Sequence, residues 1–179
     1  MITAQAFSSI QAIEREAWND CFPDSLEDWD YIVAVENAGI EGFEWRYLTL
    51  YRGSTLIAAA TAFTTSYRLD TTVQGIGKRF TEKLNHILPG LVQLPLYAIG
   101  SPVTEQCNAG TASHIPPDQR PALLARLLLL AQHDARQLDI GLIAVKDVPS
   151  HDDDWSHSCK AAGYQSMPSL PRAVLPVPF

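Results

Sequence analysis

The sequence predicts an α/β fold (α+β by some schemes): one domain over residues 1–179, with a mixed central sheet flanked by helices in the order β-α-α-β-β-(insertion)-β-α-β-α-β-β. Three observations carry this expectation. Residues 114–145 read as a loop, a leucine-rich helix and an apolar strand. Residues 45–67 read as a β-hairpin. A chain of 179 residues, 46% hydrophobic and 18% charged, is long and apolar enough to bury a sizeable core.

In chain order, residues 2–7 alternate as a short strand with Ile2, Ala4 and Ala6 on one face. Ser8 or Ser9 then caps a helix carrying Ile10, Ile13, Ala17 and Trp18, which ends near Cys21-Phe22-Pro23. A second helix opens at Asp24 with Glu27 three residues on, as in a capping box, and stops at Gly39. Trp45, Tyr47, Thr49 and Tyr51 alternate with Leu48 and Leu50, residues 52–55 turn the chain, and 56–67 form the return strand. An insertion at about 68–95 holds a helix over 78–88. Residues 96–99 form a strand that Gly100-Ser101-Pro102 breaks or bulges before it continues over 103–107.

Pro116 and Pro117 stiffen the approach to the main helix, and Pro121 is tolerated in its first turn, where its missing N–H would have no partner. Leu123, Leu124, Leu127, Leu128, Ala131 and Ala135 line one side of that helix. Residues 140–145 are apolar on both faces, as a strand buried in a sheet should be. A last helix runs from about 155 to 162, led by the acids of residues 152–154 and closed by Gly163. Two short strands at 164–170 and 172–177, punctuated by prolines, belong at a sheet edge.

The formal net charge of −7 gives no electrostatic support to a nucleic-acid partner or an anionic membrane. Cys21, Cys107 and Cys159 are an odd number, widely spaced and without a paired His, so we expect reduced thiols, no metal site and a cytoplasmic protein. The first residues lack the apolar core of a signal peptide, and no run reaches transmembrane length, so no membrane insertion is expected.

The segment Arg120-Pro121-Ala122-Leu123-Leu124-Ala125 resembles the Gln/Arg-x-x-Gly-x-Gly/Ala motif of the GNAT superfamily of acyl-CoA-dependent N-acyltransferases. Arg120 and Ala125 match, and Leu123 stands where the first Gly belongs. Cys159-Lys160-Ala161-Ala162-Gly163-Tyr164 is similar to the family's Tyr-x-x-x-Gly-Phe ending, with Cys159 in the place of the Tyr that protonates the departing thiolate. The element order also matches a GNAT domain, apart from the insertion. Val73–Arg79, with Gly75 and Gly77, is a rival placement of the cofactor motif, set aside because its helix runs into Pro89-Gly90 instead of a buried strand. The insertion and the missing Gly pair are similar to the FemAB-like, or peptidoglycan-recognition-type, branch, in which two such domains lie in tandem.

The resemblance implies acetyl-CoA or another acyl-CoA as donor and a small-molecule or peptide amine as acceptor. It places the diphosphate at the start of the main helix, with Arg120, Leu123, Leu124, Ala125 and Val103 as cofactor contacts. Glu105 is then the expected base, on the strand that splays from its parallel neighbour; Cys159 is the acid, and His114 a second base or a phosphate contact. The alternative is a non-catalytic GNAT-like binding or subunit domain that has lost its acyl-CoA loop. A single domain of this branch would act as a homodimer, with a second GNAT-like chain, or as a single-domain relative.

Overall fold

The computed structural model describes residues 1–23, 25–68, 93–104, 107, 109–149 and 151–167. Among these residues six strands form one mixed sheet: β1 (Ile2–Phe7), β2 (Phe43–Arg52), β3 (Thr55–Arg68), β4 (Gln93–Ile99), β5 (Ala109–Thr111) and β6 (Leu142–Val145). Four helices among them flank it: α1 (Arg15–Cys21), α2 (Trp29–Asn37), α3 (Arg120–Gln137) and α4 (Asp153–Ala161). The order across the sheet is β1-β2-β3-β4-β6, with β5 also on β3. The α/β class is that expected from the sequence, and so is the element order from β1 to α4 apart from the separate strand β5.

The hairpin forms around Gly53-Ser54, with Arg52 opposite Thr55, and Gly53 has the positive φ of 65° that such a turn needs. Successive β2 side chains reach opposite layers. Tyr47 meets Trp18 of α1 edge-on at 5.7 Å between ring centres, and Arg46 bonds Asp134 of α3. The helices α1 and α3 therefore cover opposite faces. Between them β3 is mostly alanine: Ala58, Ala59, Ala60 and Ala62 are wholly buried, and their small side chains let both layers close on the strand. On the α3 side, Arg46 and the hydroxyl of Tyr97 both converge on the buried carboxylate of Asp134.

Strand β3 outlasts its partner. Beyond Ile99, the Gly100 N–H still bonds the Thr61 carbonyl; the chain then leaves β3 and rejoins it as β5, with Ala109 opposite Ala60. Parallel β4 and β6 run in register from Leu96 and Leu142 to Ile99 and Val145. Their carboxyl ends face the same way as β5 and the start of α3, the end of a parallel pair at which such sheets bind ligands.

Several expectations are corrected. The first helix is two pieces, a 3-10 turn at Ile10–Ala12 capped by Ser9 and α1 capped by Glu14, because the Glu14 carboxylate takes the Glu16 and Ala17 amides and restarts the helix. Helix α2 opens at Trp29, not at 24, with Asp28 as its cap. Position 24 itself lies outside the described residues. Residues 102–104 are bends, and the broken strand resumes at Ala109. Strand β6 is half-exposed rather than buried, with Leu142 40% exposed, because among the described residues it ends the sheet. Residues 164–167 are not a strand, and the inserted helix at 78–88 and the last strand lie outside the described residues.

Candidate active site

A cavity of about 500 Å³ opens beside β5. Its floor is Ala109 and Gly110, one wall is the connection from α1 to α2, and the other is Arg120 with the β6–α4 loop. Gly110 is needed there. A Cβ on it would lie 2.2 Å from the Cys21 carbonyl oxygen and 2.7 Å from the Phe22 ring, so the end of α1 crosses the strand at a distance only glycine permits. That crossing seats Phe22, Pro23, Leu26 and Glu27 around the cavity.

Arg120, at the first position of α3, is clamped. Its two terminal nitrogens donate to the two oxygens of Asp152 at 2.8 and 2.7 Å, one of them reaches Asp154 at 3.3 Å, and the other reaches the Ala109 carbonyl at 3.4 Å. Asp152 also caps α4 through the Trp155 amide. The hydrogen bonds from Arg120 hold the Asp152 carboxyl below its ordinary range. The N–H groups of Gln119 and Arg120 are spent on the carbonyls of Pro116 and Pro117, and Pro121 has none. The start of α3 thus offers an anion a guanidinium but few free backbone donors.

Glu27 is the residue that the sequence reading missed as a site group. The helix begins one residue beyond its Asp28 cap, which leaves Glu27 in the connection, half-buried on the cavity wall. Burial raises its carboxyl above the ordinary value, against the opposing pull of the Thr104 hydroxyl and of Lys146. Those two groups lie just past the ends of β4 and β6. Glu27 therefore reaches over the carboxyl ends of the parallel pair.

The gap between those ends is bridged. The Lys146 N–H bonds the Ile99 carbonyl at 2.9 Å, the Cys107 N–H bonds the Asp147 carbonyl at 3.1 Å, and the Cys107 thiol reaches the Ile99 carbonyl at 3.5 Å. The open space lies one step further along, against Ala109 and Gly110.

Of the described residues expected at the site, the cavity is lined by Arg120 alone. Leu123 and Leu124 point into the core under α3, so Leu123 does not crowd the approach to the helix, and Ala125 is half-buried. Val103 is at a bend and exposed. His114 is exposed, 3.9 Å from Asp20. Cys159 lies buried on α4, and burial pushes its thiol up to about 11; Cys21 and Cys107 are pushed up to about 12 for the same reason. Glu105 and the rival Gly75 and Gly77 lie outside the described residues. Among the described residues no cluster of His, Cys, Asp and Glu could hold a metal ion, and no helix is long and apolar enough to cross a membrane.

No protein-family model and no curated protein sequence matches the chain. Solved structures do. An aminoglycoside 6'-N-acetyltransferase of Acinetobacter haemolyticus is 13% identical, with 98% of this chain and 99% of that one aligned at a TM-score of 0.53. An aminoglycoside N-acetyltransferase in complex with CoA is 9% identical over 98% and 95%, at 0.57. A ribosomal-protein-alanine N-acetyltransferase of Brucella melitensis is 8% identical over 97% and 99%, at 0.56. The chain has the fold of these N-acetyltransferases, nearly end to end.

Proposed function

We propose that the protein is an N-acyltransferase that moves an acyl group from an acyl-CoA thioester to an amine by direct attack. The observation that carries this is a cavity beside β5, one step beyond the carboxyl ends of the parallel strands, between a cation at a helix start and a half-buried carboxylate, on a fold shared with N-acetyltransferases. The residues present fit the donor in part. Leu123 leaves the helix approach open, and Arg120 is the group that would meet the diphosphate, once freed from Asp152 and Asp154. The donor supplies the thioester carbonyl: attack by the amine forms a C–N bond, breaks the C–S bond and releases the thiol and one proton. Glu27 accepts the ammonium proton and so exposes the nitrogen lone pair. Cys159, whose thiol sits near 11, is a weaker acid than an ordinary thiol of about 8.5, so the leaving thiolate takes its proton from the newly formed nitrogen centre.

A second reading, a binding or subunit domain of this fold without transfer activity, rests on the double pairing of Arg120 alone. Calorimetric titration of CoA and acetyl-CoA separates the two. Under the enzyme reading both bind, and Arg120→Ala weakens them about tenfold or more, the loss expected for a charge-assisted contact. Absence of binding at millimolar concentration would establish the second reading.

A further inference from the structure

We infer that the cavity binds a compact aliphatic amine in its cationic form, with the Glu27 carboxylate as counter-ion and first proton acceptor. The transfer chemistry and the size limit on the amine rest on the acyltransferase reading; the binding of an ammonium beside Glu27 does not. Among the described residues the cations near the cavity each have a carboxylate of their own: Arg120 has Asp152 and Asp154, and Lys146 has Asp147 at 2.6 Å together with the Thr104 carbonyl at 2.5 Å. Among the described residues no ion pair reaches Glu27. Lys146 acts on its carboxylate only through longer-range attraction. Counting Glu27 and Asp152 against Arg120, the described cavity wall carries a negative excess, and the chain as a whole carries −7. An ammonium answers that excess, and an anionic acceptor would be repelled.

The walls give the rest of the molecule its character. Phe22 and Pro149 are apolar and half-buried and suit a short methylene chain, with Pro23 and Leu26 apolar but exposed. A volume of about 500 Å³ is that of a small-molecule pocket, and it must also admit the acyl end of the donor, so it leaves room for a few carbons beyond the nitrogen. Once the ammonium is seated, its proton passes to a Glu27 oxygen and the neutral amine is left with its lone pair; the carboxyl later returns that proton to water. A half-buried carboxylate with a raised pKa is the stronger base for this transfer.

The test is an NMR titration of the apo protein with butylamine, with butanol as its uncharged match and trialanine as a peptide amine, on the wild type and Glu27→Gln. The variant is nearly isosteric and lies in a connection between helices, and its circular dichroism provides the fold control. The expected result is that butylamine shifts amides around Glu27 and Gly110, binds about tenfold more weakly to Glu27→Gln, and is preferred over butanol only by the wild type. Equal binding of butanol and butylamine, unchanged butylamine binding in Glu27→Gln, or a preference for trialanine would each overturn the inference. Since no donor is present, it can stand if CoA fails to bind, and it can fall while CoA binding and acyl transfer hold.

Discussion

Asp134 shows what a single buried charge does in this molecule. Its side chain is 6% exposed and takes bonds from Arg46 on β2 and Tyr97 on β4, so one carboxylate on α3 ties two strands to the helix across the layer. Replacing it by Asn leaves the Arg46 guanidinium, 18% exposed, without its partner. We expect Asp134→Asn to cost about 3–5 kcal/mol in urea denaturation. Tyr97→Phe, which deletes one hydrogen bond, should cost about 1 kcal/mol. The thiols give a second check at this scale. All three cysteines are buried, so a thiol reagent at pH 8 should label the native protein slowly and the urea-unfolded protein at once. Rapid native labelling of Cys159 would restore it as a candidate acid. Arg120 was legible in the sequence, because an arginine between a proline-stiffened loop and a leucine-rich helix has few places to go. Its two carboxylates were not, since Asp152 and Asp154 lie more than thirty positions away and read equally well as the acidic first turn of α4.

At the scale of elements, the contact of α1 with β5 sets the cavity. Gly110→Ala should push the end of α1 off the strand and destabilise the protein by about 1–3 kcal/mol in chemical denaturation, the range for overpacking. Gly53→Ala, at a positive φ but in open space, should cost less and leave the cavity intact. The hairpin and α3 were legible because alternation over ten residues or more and an unbroken leucine stripe each admit one periodicity. The start of α2 was not. Asp24 with Glu27 satisfies the spacing of a capping box, but tertiary bonds decide the matter: the Trp29 amide bonds Asn19, and the Trp29 indole bonds the carbonyls of Ile10 and Ile13. That choice turned Glu27 from a helix residue into a cavity residue. The return of the strand at β5 was equally hidden, because Ala109-Gly110-Thr111 has no strand signature of its own and pairs only because β3 continues past Ile99.

For the molecule as a whole, two carboxylates pull the stability profile in opposite directions. Asp152 is depressed by Arg120, so its stabilisation is present above its unfolded pKa and is lost as pH falls through the lower folded value. Glu27 is raised by burial, so its ionised form destabilises the fold at neutral pH, and this is relieved as pH falls through the raised value. We expect Glu27→Gln to be slightly more stable than the wild type at pH 7, the two converging in acid, and Asp152→Asn to flatten the acid limb; urea midpoints across pH check both.

Arg120 joins the start of α3 to the cap of α4, and a ligand must displace its two carboxylates to reach it. Chloride or acetate brings one charge and loses that exchange, whereas a diphosphate brings adjacent charges that can replace both partners together. Under the acyl-CoA reading, the helix start would thereby sort anions by valence. Asp154→Asn, which leaves the bidentate pair and the α4 cap in place, should tighten pyrophosphate binding two- to fivefold, about 0.5–1 kcal/mol, and chloride binding hardly at all.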